Sequence, residues 1–280
     1  MKENIAVAQS PGHITGFFRI YRNGSTGAGI NIKNGMRTTV EFSQKDSFHM
    51  NGKRQKLIVS EKVVALYRKK TRKKFFVKVQ HQTPFPIGFG LGISGAGALS
   101  LSLCLNKLLG TEFSKKTITE IATRAEIECG TGLGDVRAEN YAGFLMGKKP
   151  YPSKSALRIK CREKFIVLGF FRAIETKKII HSAYWKRKIN RSGEKGMKAL
   201  SKNKSMRAFI RESRAFSLES GLATQRIRKI MRAIPEASMA MLGETAFIPT
   251  NNPEMALSRL KKYCKKTMVA GIALNGAGIL

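Results

Sequence analysis

Between Pro86 and Ala98 five glycines (Gly88, Gly90, Gly92, Gly95 and Gly97) fall within thirteen residues, the densest constraint on the backbone anywhere in the chain. Upstream, Phe75-Phe76-Val77-Lys78-Val79 reads as a strand. Downstream, Ala98 to Leu109 continues as a helix, apolar nearly all round and therefore buried. Glycine lets a backbone approach a ligand closely and turn its N–H groups inward. A helix N-terminus adds free N–H groups and a partial positive charge. Strand, glycine loop and helix start in that order suit a phosphate. No Gly-Lys-Ser/Thr closes the loop, so it is not a Walker loop, and its glycine spacing is not that of the dinucleotide fingerprint. A tight crossing of small-residue helices is the alternative use of such a segment. Ser94, in the first turn, puts a hydroxyl within reach of a phosphate-bound metal.

The remainder reads as α+β, with strands and helices in both halves. Ile5 to Ala8 is a strand running into a tight turn at Ser10-Pro11-Gly12, and Gly24, Gly27, Gly29 and Gly35 alternate into Ile30 and Ile32 as turn and strand. Ser114 or Thr117 caps a second helix, Thr117 with Glu120 fitting a capping box. On it Ile118, Ile121, Ala122 and Ala125 share one face, with Glu120 and Arg124 outward. Gly130 ends this helix and opens a second glycine loop, Gly130-Thr131-Gly132-Leu133-Gly134-Asp135. Pro150, Pro152 and two serines read as a linker, dividing the chain into 1–155 and 156–280. Phe165 to Phe171 is a buried strand, 177–232 is helical and basic, Ala237 to Ala240 leads to Gly243, and Met268 to Leu274 is a last strand.

Charge narrows the partners. The 280 residues are 42% hydrophobic, enough for a sizeable core, yet 52 Lys and Arg face 18 acids, a net charge of +34. That excess favours polyanions, phosphorylated ligands and acidic surfaces. It is uneven: residues 101–150 hold 7 basic and 6 acidic side chains, whereas residues 151–280 hold 28 and 8. Eight cations and no acid lie between Lys62 and Lys78, and thirteen against two Glu between 177 and 214. With Phe75, Phe76, Tyr184 and Trp185 nearby, nucleic-acid binding is the rival reading. These clusters match no RNA or DNA module, however, and leave Asp135 in its glycine cradle unexplained. Cys104, Cys129, Cys161 and Cys264 form no CxxC pair and have no nearby His, against a zinc site or disulfide framework and in keeping with a reducing cytosol. No secretory signal is visible at Met1, and no apolar run approaches the roughly 18 residues of a membrane span, so a soluble cytoplasmic protein is expected.

Pro86-Ile87-Gly88-Phe89-Gly90-Leu91-Gly92-Ile93-Ser94-Gly95-Ala96 resembles the ATP-binding segment of the GHMP small-molecule kinases, which usually reads Ser-Ser-Ala-Ala where this chain has Ile93-Ser94-Gly95-Ala96. Ser10 to Phe18 resembles the first segment of that superfamily, with His13 where many members carry Lys or Arg. Pro11 to Phe18, Gly24 to Gly29, Gly130 to Asp135 and Ser238 to Gly243 resemble, in order, the archaeal pantoate kinase branch, and Gly276-Ala277-Gly278 is a weaker echo. Met239 and Met241 replace the usual third-segment glycines, a departure that branch shares.

The resemblance implies a two-part α+β architecture, a ribosomal protein S5 domain 2-like N-terminal half and a ferredoxin-like C-terminal half meeting over the active site. It implies ATP-dependent phosphorylation of the primary hydroxyl of pantoate, toward coenzyme A, with homoserine, mevalonate or a sugar as alternative acceptors. ATP would lie on Pro86, Gly88, Gly90, Leu91, Gly92, Ile93, Ser94, Gly95 and Ala96. Ser94 and Glu126 would hold Mg2+, with Glu128 an open alternative to Glu126. Asp135 would orient or deprotonate the hydroxyl, its other reading being a plain helix N-cap. His13, Ser25, Thr26 and Arg137 would line the substrate side, with Arg19 and Arg22 further candidates for the substrate carboxylate. The implied partners are ATP and a small molecule, without membrane or nucleic acid, and a homodimer is compatible with all of this.

Overall fold

The computed structural model describes residues 4–22, 24–150 and 156–280. In chain order the elements are β1 Ile5–Tyr21, β2 Gly24–Phe42, β3 Ser47–Met50, β4 Lys53–Arg54, α1 Ile58–Thr71, β5 Val77–Gln82, α2 Ile93–Leu109, α3 Lys115–Cys129, α4 Asp135–Glu139, β6 Phe144–Gly147 and β7 Ala156–Ile159. There follow β8 Phe165–Ala173, α5 Thr176–Ile180, α6 Ala183–Lys202, α7 Met206–Glu219, α8 Gln225–Ala233, β9 Ser238–Ala240, β10 Gly243–Thr250, α9 Pro253–Lys261, β11 Lys266–Gly271 and β12 Gly278–Ile279.

The first sheet runs β12-β1-β2-β5-β3-β4, with β6 also on β2 and β7 on β6. The second is antiparallel in the order β11-β8-β10-β9. Strand, helices, two strands, helix, strand in the spatial order 4-1-3-2 is the ferredoxin-like arrangement. Strand β7 joins the first sheet through β6, and β12, near the chain's last residue, pairs with β1, so the chain returns to its beginning. Of the segment read as a linker, residues 151–155 lie outside the described residues.

Local readings held where local chemistry decides them. Ser114 caps α3 by accepting from the Thr117 N–H, and Gly130 closes it at φ 69°. Thr117 therefore lies inside the helix, and the capping box it was expected to head does not form. Helix α2 starts at Ile93, ahead of Ala98, so Ser94 is in its first turn. Ser10-Pro11-Gly12 is not a turn. Strand β1 continues through it to Tyr21 and absorbs the segment as an irregularity in its pairing with β2 between Ser10 and Gly12. Proline has no N–H for the ladder, and a bulge is where a strand tolerates it. The bulge also serves the site, because it lets the His13 N–H donate to Leu91 O at 2.8 Å.

Two apolar cores flank the first sheet. One, with Val63, Leu99 and Leu105, fills the space between the sheet and α1, α2 and α3. The other joins the halves through Phe209 of α7. Its ring centroid is 5.9 Å from Phe17 on β1, 4.8 Å from Phe144 on β6 and 6.1 Å from Phe247 on β10. Helix α6 lies so close to β1 that a Cβ at Gly196 would stand 3.0 Å from the Phe17 ring.

A buried polar chain ties α1, β2, β5 and α2 together. Ser100 Oγ donates to Ala96 O (2.7 Å), so it accepts from Thr38 Oγ1 (2.6 Å). Thr38 in turn accepts from His81 Nδ1 (2.7 Å), which leaves Nε2 to accept from Ser60 Oγ (2.9 Å). Burial holds this imidazole neutral and pushes its pKa down to about 4. The unfolded chain then takes up a proton near pH 6.5 that the folded chain refuses until about pH 4. Stability contributed above that window is lost as pH falls through it. Urea unfolding of the wild type should therefore lose about 2–3 kcal/mol between pH 7 and pH 4.5 from this residue. His81→Gln should show a correspondingly shallower pH slope, and an unchanged slope would remove His81 from the account.

Candidate active site

The loop ahead of α2 has glycines at positive φ at every second position: Gly88 (84°), Gly90 (76°) and Gly92 (66°). L side chains are strained there. Left-handed residues alternating along a turn are the kind of backbone from which anion-binding nests are made. Leu91, between them, is buried, and Phe89 meets Phe170 edge-on at 5.7 Å. The loop is fastened from the second half as well. Thr245 Oγ1 donates to Phe89 O (2.8 Å) and the Ile174 N–H to Gly88 O (3.1 Å). The β9–β10 connection, Met241-Leu242, packs on it so tightly that a Cβ at Gly90 would lie 2.7 Å from Met241 O. One at Gly243 would overlap the Phe89 carbonyl group and Gly90 N.

A cleft of about 400 Å³ is bounded by this loop, the 130–134 loop and the start of α5. Of the residues expected to contact nucleotide, Gly88, Gly90, Leu91, Gly92, Ile93, Ser94 and Gly95 line it. Pro86 does not. Ala96 is a correction: it is fully buried and its N–H already bonds Gly92 O at 3.0 Å, so it has no donor left for phosphate.

Ser94 Oγ donates to Glu126 Oε1 at 2.5 Å, and Thr131 Oγ1 donates to the same oxygen at 2.8 Å. Glu126 is 3% exposed. Burial pushes its pKa up to about 7, with the two hydroxyl donors opposing and Asp135 adding to the rise. Glu128, two residues on, turns outward to Lys62 (3.1 Å) and Arg124, where the two cations hold its carboxyl below its ordinary value. The geometry thus favours Glu126 over Glu128 as the inward carboxylate. A hydroxyl and a buried carboxylate side by side, in a wall whose charge calls for a cation, fit a divalent ion that keeps waters and phosphate oxygens as its other ligands. Among the described residues no cluster of three or more His, Cys, Asp or Glu could hold a metal, so such an ion would depend on the nucleotide.

Asp135 opens α4 after Gly134. Thr15 Oγ1 lies 3.4 Å from its Oδ1 as a long donor. Burial raises its pKa, while the charge of His13 and the Thr15 donor pull it back. Its placement matters most: Thr15, Phe18, Ser25, Gly134 and Asp135 line both the cleft and a second cavity of about 270 Å³ beside it.

His13, Ser25, Thr26 and Arg137 all line that second cavity. Asn31 Nδ2 donates to Ala138 O (2.7 Å) and Tyr141 O (2.8 Å), so its Oδ1 must accept from His13 Nδ1 (2.6 Å). The imidazole is thereby anchored on one nitrogen with Nε2 against Gly29, where any Cβ would overlap it. Arg137 donates to Ser25 O and Lys149 O, both at 3.0 Å, which holds the Ser25 backbone in the wall. Arg19 lies elsewhere, 3.7 Å from Glu194, and Arg22 does not line the cavity.

Three site residues escaped the sequence reading. Lys115, the first residue of α3, lines the small cavity and donates to Asn140 O at 3.2 Å. Thr15 sits in the segment that was read but had no role assigned to it. Glu139, one turn after Asp135 on α4, is fully buried behind the loop. Its oxygens would stand 2.8 Å from a Cβ at Gly92 and 3.1 Å from one at Gly95. Among the described residues neither carboxyl oxygen has a hydrogen-bond partner. Burial first, then Asp135 and Glu126, push its pKa well above the ordinary carboxylate value. Its spacing of four from Asp135 was the available signal.

A phosphate-type cleft and an adjoining small cavity sharing one carboxylate are the layout of a phosphotransferase that acts on a small molecule. The GHMP kinases N terminal domain model matches residues 58–143. The chain is 36% identical over 264 residues to the pantoate kinase of Methanocaldococcus jannaschii, covering 90% of this chain and 96% of that one. It is 27% identical over 279 residues to the pantoate kinase of Methanospirillum hungatei, covering 93% of each. A solved structure described as a phosphotransferase related to the CoA biosynthesis pathway superposes with a TM-score of 0.86 at 21% identity, covering 99% and 98% of the two chains. The chain belongs to the GHMP kinases, ATP-dependent phosphotransferases acting on a hydroxyl group. No helix among the described residues is long and apolar enough to cross a membrane.

Because Gly243 leaves no room for a Cβ against backbone, Gly243→Ala must displace the phosphate loop. Overpacking of this kind costs about 1–3 kcal/mol. The variant should lose melting temperature and bind Mg·ATP more weakly by calorimetry. Gly278→Ala, which faces open space, should do neither.

Proposed function

We propose that the chain transfers the γ-phosphoryl group of ATP to the primary hydroxyl of pantoate, giving 4-phosphopantoate in the cytosol. Asp135 at the meeting of the two cavities carries the reading. A hydroxyl held in the small cavity and a phosphoryl group held in the cleft both reach that carboxylate. The near full-length similarity to the pantoate kinase of Methanocaldococcus jannaschii supports the choice of acceptor. The four free cysteines agree with a reducing compartment.

Phosphoryl transfer asks the protein mainly to position the groups and to stabilise charge. Free N–H groups between Gly90 and Gly95 donate to the phosphate oxygens, and the start of α2 adds its partial positive charge. Ser94 and Glu126 would hold Mg2+, which supplies neutralisation of the phosphoryl oxygens. Asp135 accepts the proton of the attacking hydroxyl as its oxygen bonds to phosphorus and the bond to the β-phosphoryl oxygen breaks, releasing ADP. Burial raises the Asp135 pKa above its ordinary value, and the Thr15 hydroxyl donor works against that rise, toward the carboxylate that this step requires. Lys115, Lys116 and Arg137 give the small cavity its positive wall for the carboxylate of pantoate, and Ser25 and Thr26 contribute hydroxyls. Leu145, Ala28 and Phe18 meet the dimethyl carbon.

Coupled ADP release with ATP and magnesium should detect turnover on pantoate and none on pantothenate, homoserine, mevalonate or galactose. Turnover on one of those instead would keep the chemistry and discard the acceptor. Asp135→Asn should lower kcat by about 10²–10⁴ while Mg·ATP binding stays within about twofold. Undiminished kcat would remove Asp135 from the mechanism.

A further inference from the structure

Lys and Arg outnumber acids almost three to one in this chain, yet the nucleotide cleft is poor in cations. Among the described residues that line it, Glu126, Asp135 and Glu175 supply carboxylates and Lys177 alone supplies a side-chain cation. Glu175 is matched by Lys178, 2.7 Å away. Between them in sequence, the Lys177 ammonium makes no ion pair or hydrogen bond to a described residue, while the backbone carbonyl accepts from the His181 N–H at 3.3 Å. Its aliphatic stem runs along Gly130, where a Cβ would lie 3.5 Å from Lys177 Cγ and 3.6 Å from Cδ. Gly130 opens the loop that carries Thr131 and leads to Asp135. The side chain therefore lies on the cleft wall that Gly130 and α5 share. It is brought there by α5 from the second half.

A nucleoside triphosphate adds several negative charges to walls that already carry carboxylates. One divalent cation and the amino end of one helix leave part of that charge unmatched. We propose that Lys177 is the side-chain cation that meets the phosphoryl oxygens of the bound nucleotide, supplied across the cleft by the C-terminal half. The proposal rests on reading the cleft as the nucleotide site, not on pantoate being the acceptor. A lysine suits the position because its charge sits on a flexible stem that can follow the phosphates as the cleft fills. The competing use of Lys177 is structural, as a cation near the carboxyl end of α3.

Calorimetric titration with Mg·ATP, together with melting curves, separates the two uses. Lys177→Met should weaken Mg·ATP binding by about tenfold or more at an unchanged melting temperature, because a charge-assisted contact is lost while the apolar stem is kept. Lys177→Arg should restore most of the affinity, and Lys178→Met should match the wild type. In steady state, KM for ATP should rise in Lys177→Met while KM for pantoate moves less than about twofold. Equal Mg·ATP affinity in Lys177→Met and wild type, or a lowered melting temperature with affinity intact, would overturn the proposal. So would a wild type that binds no Mg·ATP. A wild type that binds Mg·ATP but leaves pantoate unphosphorylated would sink the acceptor assignment, and the Lys177 comparison would still be decided by the titration.

Discussion

Three backbone carbonyls of one loop hold this structure's working parts in register. Gly88 O accepts from the Ile174 N–H, Phe89 O from the Thr245 hydroxyl and Leu91 O from the His13 N–H. The first two donors come from the second half and the third from β1. A loop with three left-handed glycines is entropically costly to order, and these bonds at successive turns offset that cost. Their other consequence is functional. The carbonyls are occupied by protein donors, and the loop lines the cleft. The same bonds draw the two sheets to the same loop, so a movement between the halves is a movement of the phosphate site.

Around that loop the electrostatics run against the overall composition. The chain carries a large positive excess, but Glu126, Asp135 and Glu139 are gathered behind and beside the loop with little basic company. Each has its pKa raised by burial. Raised pKa values lessen the charge that such a buried cluster has to bear. The cations are instead on the outer faces of α1 and α6 and at the mouth of the substrate cavity. There, scattered ion pairs such as Lys198 with Glu194 contribute little to stability.

The small cavity shows how few groups are needed to hold a substrate wall. Asn31 spends both amide protons on backbone carbonyls, Ala138 O of α4 and Tyr141 O just beyond it, which fixes the only orientation in which it can receive His13. Arg137 spends donors on Ser25 O and Lys149 O. In both cases the side chain expected at the substrate is itself positioned by, or positions, backbone from another element.

Much of this could be read from the residues. Glycine loops, the caps at Ser114 and Gly130, the buried strand β8, Ser94 in a first turn and Asp135 after a glycine are local events, decided within a few residues by backbone freedom and side-chain hydrogen bonding. What depends on distant packing could not. Pro11-Gly12 looks like a turn because proline and glycine make turns in isolation. It is a bulge because β2 and the phosphate loop pair with the chain on both sides of it. Glu126 and Glu128 are equal in sequence and differ by roughly 200° around the helix, so only the packing of α3 against α2 shows which carboxylate is inside. Glu139, Lys115 and Lys177 carry no motif and meet partners from other segments: Gly92 and Gly95, Asn140, and Gly130. The sequence determined the chemistry available and the backbone that could present it. The tertiary structure alone decided which charges lost their water and which cavities share a wall, because desolvation and proximity belong to the folded assembly and not to any one segment.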